Sequence, residues 1–377
     1  MLLIMFNPVV KRGRCRPTEK PGSVKYGLRG MFSEASFRQT GINSKWRAAL
    51  IKAANHSLAQ NTWSSYRSAL KSLEKCSSET GTAMTFPLSE EKALTFIGWL
   101  LDKNLTPGTI NTYLSGIRQA HLTAGIFIST LRSPVINQIM QGACNLDAMQ
   151  KRLGNKPTRL PVTPAVLKLI KAELKASPLP KQDKLLYWTI CTIAFMGAFR
   201  IHELLSRVEG SYDPSFTLLG RDVNMKTIKV NKKEMRTLTI LLKSEKSDRV
   251  GKSTIVDVYE SGGMFCPVRA FEKWKSATTV FASNLPAFRL DSGKPLTGRK
   301  FNTMLKQMLG KHLHYERGRI SSHSFRSGMA SLMGKLGYTE QEIQAIGRWS
   351  SQAYQTYLKL PRTQRMRMAR HIGNIEM

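Results

Sequence analysis

The chain has 377 residues, 41% of them hydrophobic, enough for two ordinary domains with cores of their own. Its 58 Lys and Arg stand against 25 Asp and Glu, a formal charge of +33 with a pI near 10.3, and self-repulsion on that scale calls for a polyanionic partner. The length, the six Trp and the long amphipathic segments set it apart from short ribosomal or histone-like proteins, so nucleic acid is the expected polyanion, ahead of a membrane surface. The five cysteines (Cys15, Cys76, Cys144, Cys191, Cys266) are scattered and form no CxxC pair, which argues against a disulfide framework or a zinc site and for a reducing compartment. The apolar start MLLIMFNPVV precedes its charges instead of following them and is too short to span a bilayer, so neither a signal peptide nor a transmembrane helix is expected.

Residues 1–44 carry eight Lys or Arg and two Glu among Gly, Pro and Ser and read as a flexible basic arm. From Lys45 to Leu153 the pattern is helical, with Trp63, Tyr66, Leu70 and Leu73 on one face and Leu94, Ile97 and Leu101 on the next helix. Thr106-Pro107 and Ser133-Pro134 each offer a capping hydroxyl followed by a first-turn proline. Four or five helices, forming an all-α bundle over residues 45–153, are predicted. The stretch 154–163, GNKPTRLPVT, breaks the period with two prolines and reads as an interdomain linker. Within 164–377, helices are predicted near 165–176 and 183–199, then β-rich runs at Ser215–Leu219, Thr227–Val230, Leu238–Leu242 and Ser253–Val258, then helices from Pro267 onward. The fold class is thus mainly α with a small antiparallel sheet, an α+β chain of two domains.

Three segments carry candidate chemistry. Phe195-Met-Gly-Ala-Phe-Arg-Ile-His-Glu-Leu-Leu-Ser206 ends an apolar helix with Arg200 beside Glu203, which by itself reads as a structural salt bridge. Ser322-His-Ser-Phe-Arg-Ser-Gly-Met-Ala-Ser331 sets His323 and Arg326 three residues apart at a helix start, where both side chains and free N–H groups can face a phosphate. Ile346-Gly-Arg-Trp-Ser-Ser-Gln-Ala-Tyr-Gln-Thr-Tyr-Leu-Lys359 places a Trp before two tyrosines, either of which taken singly reads as core. It is the ordered combination, AFRIHEL, a lysine-bearing β segment, HSFR, then GRW and YLK, that is specific.

In that order and spacing, from about residue 45 to 365, the chain resembles the tyrosine recombinase and phage integrase family. The resemblance implies a helical core-binding domain that clasps DNA and a catalytic domain, together a C-shaped clamp around a duplex. It implies that Arg200, His323 and Arg326 grip the scissile phosphate, a task suited to arginine because its fork makes paired, charge-assisted bonds to phosphate oxygens. The family's lysine protonates the departing 5′ oxygen from a β-hairpin. Lys246, in Glu245-Lys246-Ser247-Asp248, occupies that place, with Lys243 as an alternative. Tyr357, followed by Leu-Lys, matches the nucleophile, whereas Tyr354 stands too near the Trp. Glu203 matches an acidic position that supports the site without touching DNA.

One departure from the family pattern concerns the third box. Counting back from Tyr357 to where relatives often carry a histidine gives Arg348, while Trp349 matches members that use a tryptophan there to pack on and hydrogen-bond the phosphate.

The implied chemistry is attack by Tyr357 to form a 3′-phosphotyrosine, with His323 or a water taking the phenol proton and neither metal, ATP nor another cofactor taking part. The implied partners are double-stranded DNA and three further copies, a homotetramer on two DNA sites with a dimer on each; no membrane and no small-molecule substrate is expected. The GRWSSxA form of the last box is similar to that of Crypton or DIRS-type mobile-element recombinases, which would place the protein in a nucleus; a bacterial relative would work in the cytoplasm or nucleoid, and secretion is not expected. Three rivals are a recombinase-derived DNA-binding protein without activity, a type IB topoisomerase-like relaxing enzyme, and a generic basic chromatin protein.

Overall fold

The computed structural model describes residue 32 and residues 42–58, 60–126, 129–154, 159–209, 212–230, 233–243, 253–278, 281–312 and 319–349. The chain divides into two compact units, Met1–Lys156 and Pro157–Met377. None of the described helices is long and apolar enough to cross a membrane.

The first unit is helical: α1 (Ser44–Asn55), α2 (Gln60–Thr80), α3 (Glu90–Asp102), α4 (Pro107–Thr123) and α5 (Pro134–Arg152). Its helix starts follow from local chemistry. Thr106 Oγ1 accepts from Thr109 N–H and Ser133 Oγ accepts from Ile136 N–H, each with proline in the first turn, satisfying a donor that the helix itself leaves open. Leu73, Phe96, Ile97, Leu100, Ile110, Leu114 and Ile117 meet in the core. Trp63 and Leu73 of the predicted face are buried, while Leu94 and Leu101 pack at the margin around Ala93, Phe96 and Leu100. Two apolar faces stay exposed: α1 buries no residue and shows Trp46 and Leu50, and α5 shows Val135, Ile139, Leu146, Met149 and, just past its end, Leu153.

His121 of α4 ties this core together. It is fully buried, with Nδ1 at 2.8 Å from Ile117 O and Nε2 accepting Leu88 N–H at 2.9 Å, so the ring is the neutral tautomer with its proton on Nδ1.

The second unit begins with an extended segment: Leu160 N–H donates to Arg319 O and Val162 N–H to Ser324 O. The later residues of the stretch read as a linker are thus built into this unit, and Val162 lies so close that a Cβ on Gly328 would stand 2.0 Å from its carbonyl oxygen. Thr163 caps α6 (Pro164–Ala176) through Val166 N–H. Helix α7 (Lys181–Met196) is buried on all sides from Leu186 to Phe195, as befits a helix apolar all round. It is followed by α8 (Ile201–Leu204), the antiparallel sheet β1 (Val223–Val230), β2 (Lys233–Leu242), β3 (Thr254–Tyr259) in that order, and α9 (Pro267–Ala277), α10 (Gly298–Leu309), α11 (His323–Leu336) and α12 (Glu340–Gly347). Register runs from Val223 opposite Ile240 to Val230 opposite Lys233, and from Thr237 opposite Tyr259 to Leu242 opposite Thr254. Leu238, Ile240 and Leu242 alternate onto the core face of β2.

Two sequence expectations are corrected. Ser215–Leu219 forms no strand: the Asp213 carboxylate accepts Ser215 N–H and its carbonyl accepts Phe216 and Thr217 N–H, the local bonding by which Asp diverts a chain into a turn. The helix predicted for 183–199 stops at Met196, because the backbone turns left-handed at Ala198.

Burial holds the His121 pKa below the ordinary histidine value. Because the unfolded chain then binds the extra proton more readily, the stability contributed by this ring is fully present above about pH 6.5 and declines as pH falls below it. An NMR titration of the His121 ring should give a midpoint below about 6.5; a midpoint above that value would contradict the buried neutral tautomer.

Candidate active site

Two helix ends build the centre of the site, and they use the same device. At the end of α7, Ala198 N–H donates to Phe195 O and Phe199 N–H to Ala194 O, with Ala198 at φ 46°. At the end of α12, Arg348 N–H donates to Ala345 O and Trp349 N–H to Gln344 O, with Arg348 at φ 53°. This pair of reversed bonds around a left-handed residue closes a helix by satisfying its last carbonyls, and glycine usually takes the left-handed place.

Here the glycine comes one residue earlier in each turn, for a steric reason. A Cβ at Gly197 would stand 2.2 Å from the Phe199 ring, and one at Gly347 would stand 1.6 Å from the Trp349 ring. In each turn the aromatic folds back over its glycine.

Both turns then feed the arginines. Arg326, on the first turn of α11 and 1% exposed, donates from Nη1 to Ala198 O at 2.7 Å. Its guanidinium carbon lies 4.3 Å from the centre of the Trp349 ring, a cation–π stack. Arg348 donates from Nη1 to Gly197 O at 3.0 Å and from Nη2 to Glu203 Oε2 at 3.0 Å, with its guanidinium 4.6 Å from the Phe199 ring centre.

Glu203 is the common acceptor. Its carboxylate, 5% exposed, receives Arg348, the Arg200 Nη1 at 2.8 Å and the Arg200 backbone N–H at 2.9 Å. The acid therefore serves two guanidinium groups and also accepts the backbone N–H of Arg200, the residue that caps α8.

Of the residues singled out in the sequence, Arg200, Glu203, Arg326 and Trp349 are brought together in this cluster, with Arg348 at its middle. His323 begins α11 and is solvent-exposed, whereas Arg326 three residues on is buried. Lys246, Tyr354 and Tyr357 lie outside the described residues. The sequence reading did not foresee the paired carbonyls of Gly197 and Ala198 or the span of Arg348; the signal in hindsight is the repeated order glycine, any residue, aromatic, in Gly197-Ala198-Phe199 and Gly347-Arg348-Trp349.

Lys243, at the end of β2, has a structural position. Its ammonium donates to Pro214 O at 2.8 Å and Thr217 O at 3.2 Å and pairs with the buried Asp222 carboxylate at 2.7 Å. Three acceptors use all three of its donors. Lys243→Ala leaves the Asp222 charge buried without its partner and should lower unfolding stability by about 3–5 kcal/mol. Chemical denaturation measures this, and a loss of under about 1 kcal/mol would show that Lys243 is not a structural cation.

No protein-family model and no curated protein matches the chain by sequence. Solved structures do match over most of its length. The XerH site-specific recombinase bound to a palindromic difH substrate, in a post-cleavage complex, is 13% identical with a TM-score of 0.54 and covers 88% of this chain and 85% of its own. The Tn1549 transposon integrase in complex with circular intermediate DNA is 12% identical, with a TM-score of 0.51, over 91% of this chain and 98% of that one. A lambda integrase dimer bound to a COC′ core site is 12% identical, with a TM-score of 0.51, over 86% and 84%. The chain has the fold of the tyrosine recombinases and integrases that these structures represent.

Proposed function

We propose that the protein is a site-specific DNA recombinase or integrase that cuts and rejoins strands through a tyrosine. The observation that carries this reading is the meeting of Arg200, Arg326, Glu203 and Trp349, from three distant sequence segments, around one turn, in a fold shared with recombinases solved on DNA. The formal charge of +33 suits a partner whose phosphates supply most of the binding energy through counterion release.

In this reading Arg200, Arg326 and His323 hold the non-bridging oxygens of the scissile phosphate. The Tyr357 oxygen attacks phosphorus as its proton passes to His323 or a water, and the bond to the 5′ oxygen breaks. Lys246 gives that oxygen a proton, leaving a 3′-phosphotyrosine and a 5′ hydroxyl. The 5′ hydroxyl of a partner strand then attacks the phosphotyrosine and frees the phenol, so bond energy is conserved and no ATP is spent. Trp349 covers Arg326 and orients it, and Glu203 orients Arg200.

The functional form is a homotetramer bridging two DNA sites. The exposed apolar residues of α5, spaced alternately four and three apart with Gly142 completing the row, have the seam pattern by which one helix packs on another, and α1 offers Trp46 and Leu50 within the same unit. Placement among mobile elements of the Crypton or DIRS type, and a nuclear address, follow from the GRWSSxA box alone.

A nicked suicide substrate drawn from the ends of the encoding element tests the reading. Incubated without metal, the wild-type chain should form an SDS-resistant protein–DNA adduct, Tyr357→Phe should bind DNA and form none, and light scattering should find four chains per trapped synapse. Tight binding without an adduct in either protein would instead identify a DNA-binding protein that performs no chemistry.

A further inference from the structure

Counting back from Tyr357 puts Arg348, beside the alternative Trp349, where the resembled family often carries a histidine, and the Arg348 side chain is directed inward. Its two terminal nitrogens reach different acceptors: the Gly197 carbonyl, at the end of α7, and the Glu203 carboxylate, in α8. Between those acceptors lies the turn that carries Arg200 and presents the Ala198 carbonyl to Arg326. The guanidinium also rests on the Phe199 ring, so a single side chain fixes three consecutive features of that turn. Its backbone is held left-handed at φ 53°, uncommon for a residue with a Cβ, and that conformation sends the Arg348 side chain toward α7 while the next residue, Trp349, covers Arg326.

On the recombinase reading, we propose that Arg348 is a positioning residue that acts through Glu203 on Arg200, and through the Gly197–Ala198 turn on Arg326, setting the spacing of the two phosphate-gripping arginines. The third box thereby divides its work: Trp349 packs against one catalytic arginine, and Arg348 locks the turn on which both depend. A planar fork is required, because both acceptors are met at once by nitrogens held in fixed relation, which a lysine ammonium cannot reproduce. Small misplacement of phosphate-binding groups is costly to rate, while the DNA contacts elsewhere on the chain are untouched.

The test is single-turnover cleavage of the nicked substrate by wild type, Arg348→Ala and Arg348→Lys, alongside their DNA affinities. Arg348→Ala should cleave about 100-fold more slowly with its dissociation constant changed by no more than about threefold, and Arg348→Lys should remain close to the alanine variant. Guanidinium ion added at millimolar concentration should restore part of the Arg348→Ala rate and leave Tyr357→Phe inactive. Should the alanine variant fail to fold, the lysine variant and its rate carry the test. Wild-type rates in the two variants, or a slow Arg348→Ala that guanidinium leaves unchanged, would overturn the assignment; an absence of adduct from the wild type would overturn the recombinase reading on which it rests.

Discussion

The carboxylate of Glu203 is the interaction on which the site depends. It is almost wholly buried and would be prohibitively costly there as an isolated charge. Two guanidinium groups and a backbone N–H meet it, and the chain is arranged to bring them. Helix α7 must end at Met196 so that Arg200 can cap α8, and α12 must end at Gly347 so that Arg348 can turn back. Removing one partner of such a buried group leaves the others unbalanced, which is why the cluster behaves as a unit.

Geometry, more than sequence identity, ties the buried arginines of this cluster to the fold. Arg326 is buried at the start of α11, anchored by the Ala198 carbonyl and covered by Trp349, so its orientation is inherited from two helix ends. The extended segment at Leu160 and Val162 also bonds to the start of α11 at Ser324 and to the chain just before it at Arg319, and Gly328 permits the close approach of Val162. A guanidinium held this way is already oriented, and on the proposed recombinase reading such preorganised charge would contribute more to a transition state than charge that must be gathered.

Some of this was legible in the residues. Thr106-Pro107, Ser133-Pro134 and Thr163-Pro164 mark helix starts because hydroxyl capping and the fixed φ of proline are local effects. The small sheet was found at Thr227–Val230, Leu238–Leu242 and the run near Ser253 because alternation is local too. The strand expected at Ser215 and the helix expected to reach Phe199 fail for one reason: apolar and β-branched side chains set the local pattern, but the backbone bonds of Asp213 and the left-handed Ala198 set the chain path. Arg200 and Glu203 were paired from their spacing, but no periodicity relates Arg348 to either. Its partners are about 145 residues away in the chain, and only the fold brings them within reach. The Glu-Lys-Ser-Asp pattern favours Lys246 over Lys243, and pairing with the buried Asp222 gives Lys243 a structural place that the pattern does not show.

The most direct measurement of the central claim is to digest the trapped protein–DNA complex with protease and nuclease and locate the residual nucleotide by mass spectrometry. The account predicts a nucleotide 3′-phosphate on the peptide containing Tyr357, attached to that residue's phenol oxygen. Attachment at Tyr354, or at any residue other than Tyr357, would contradict it.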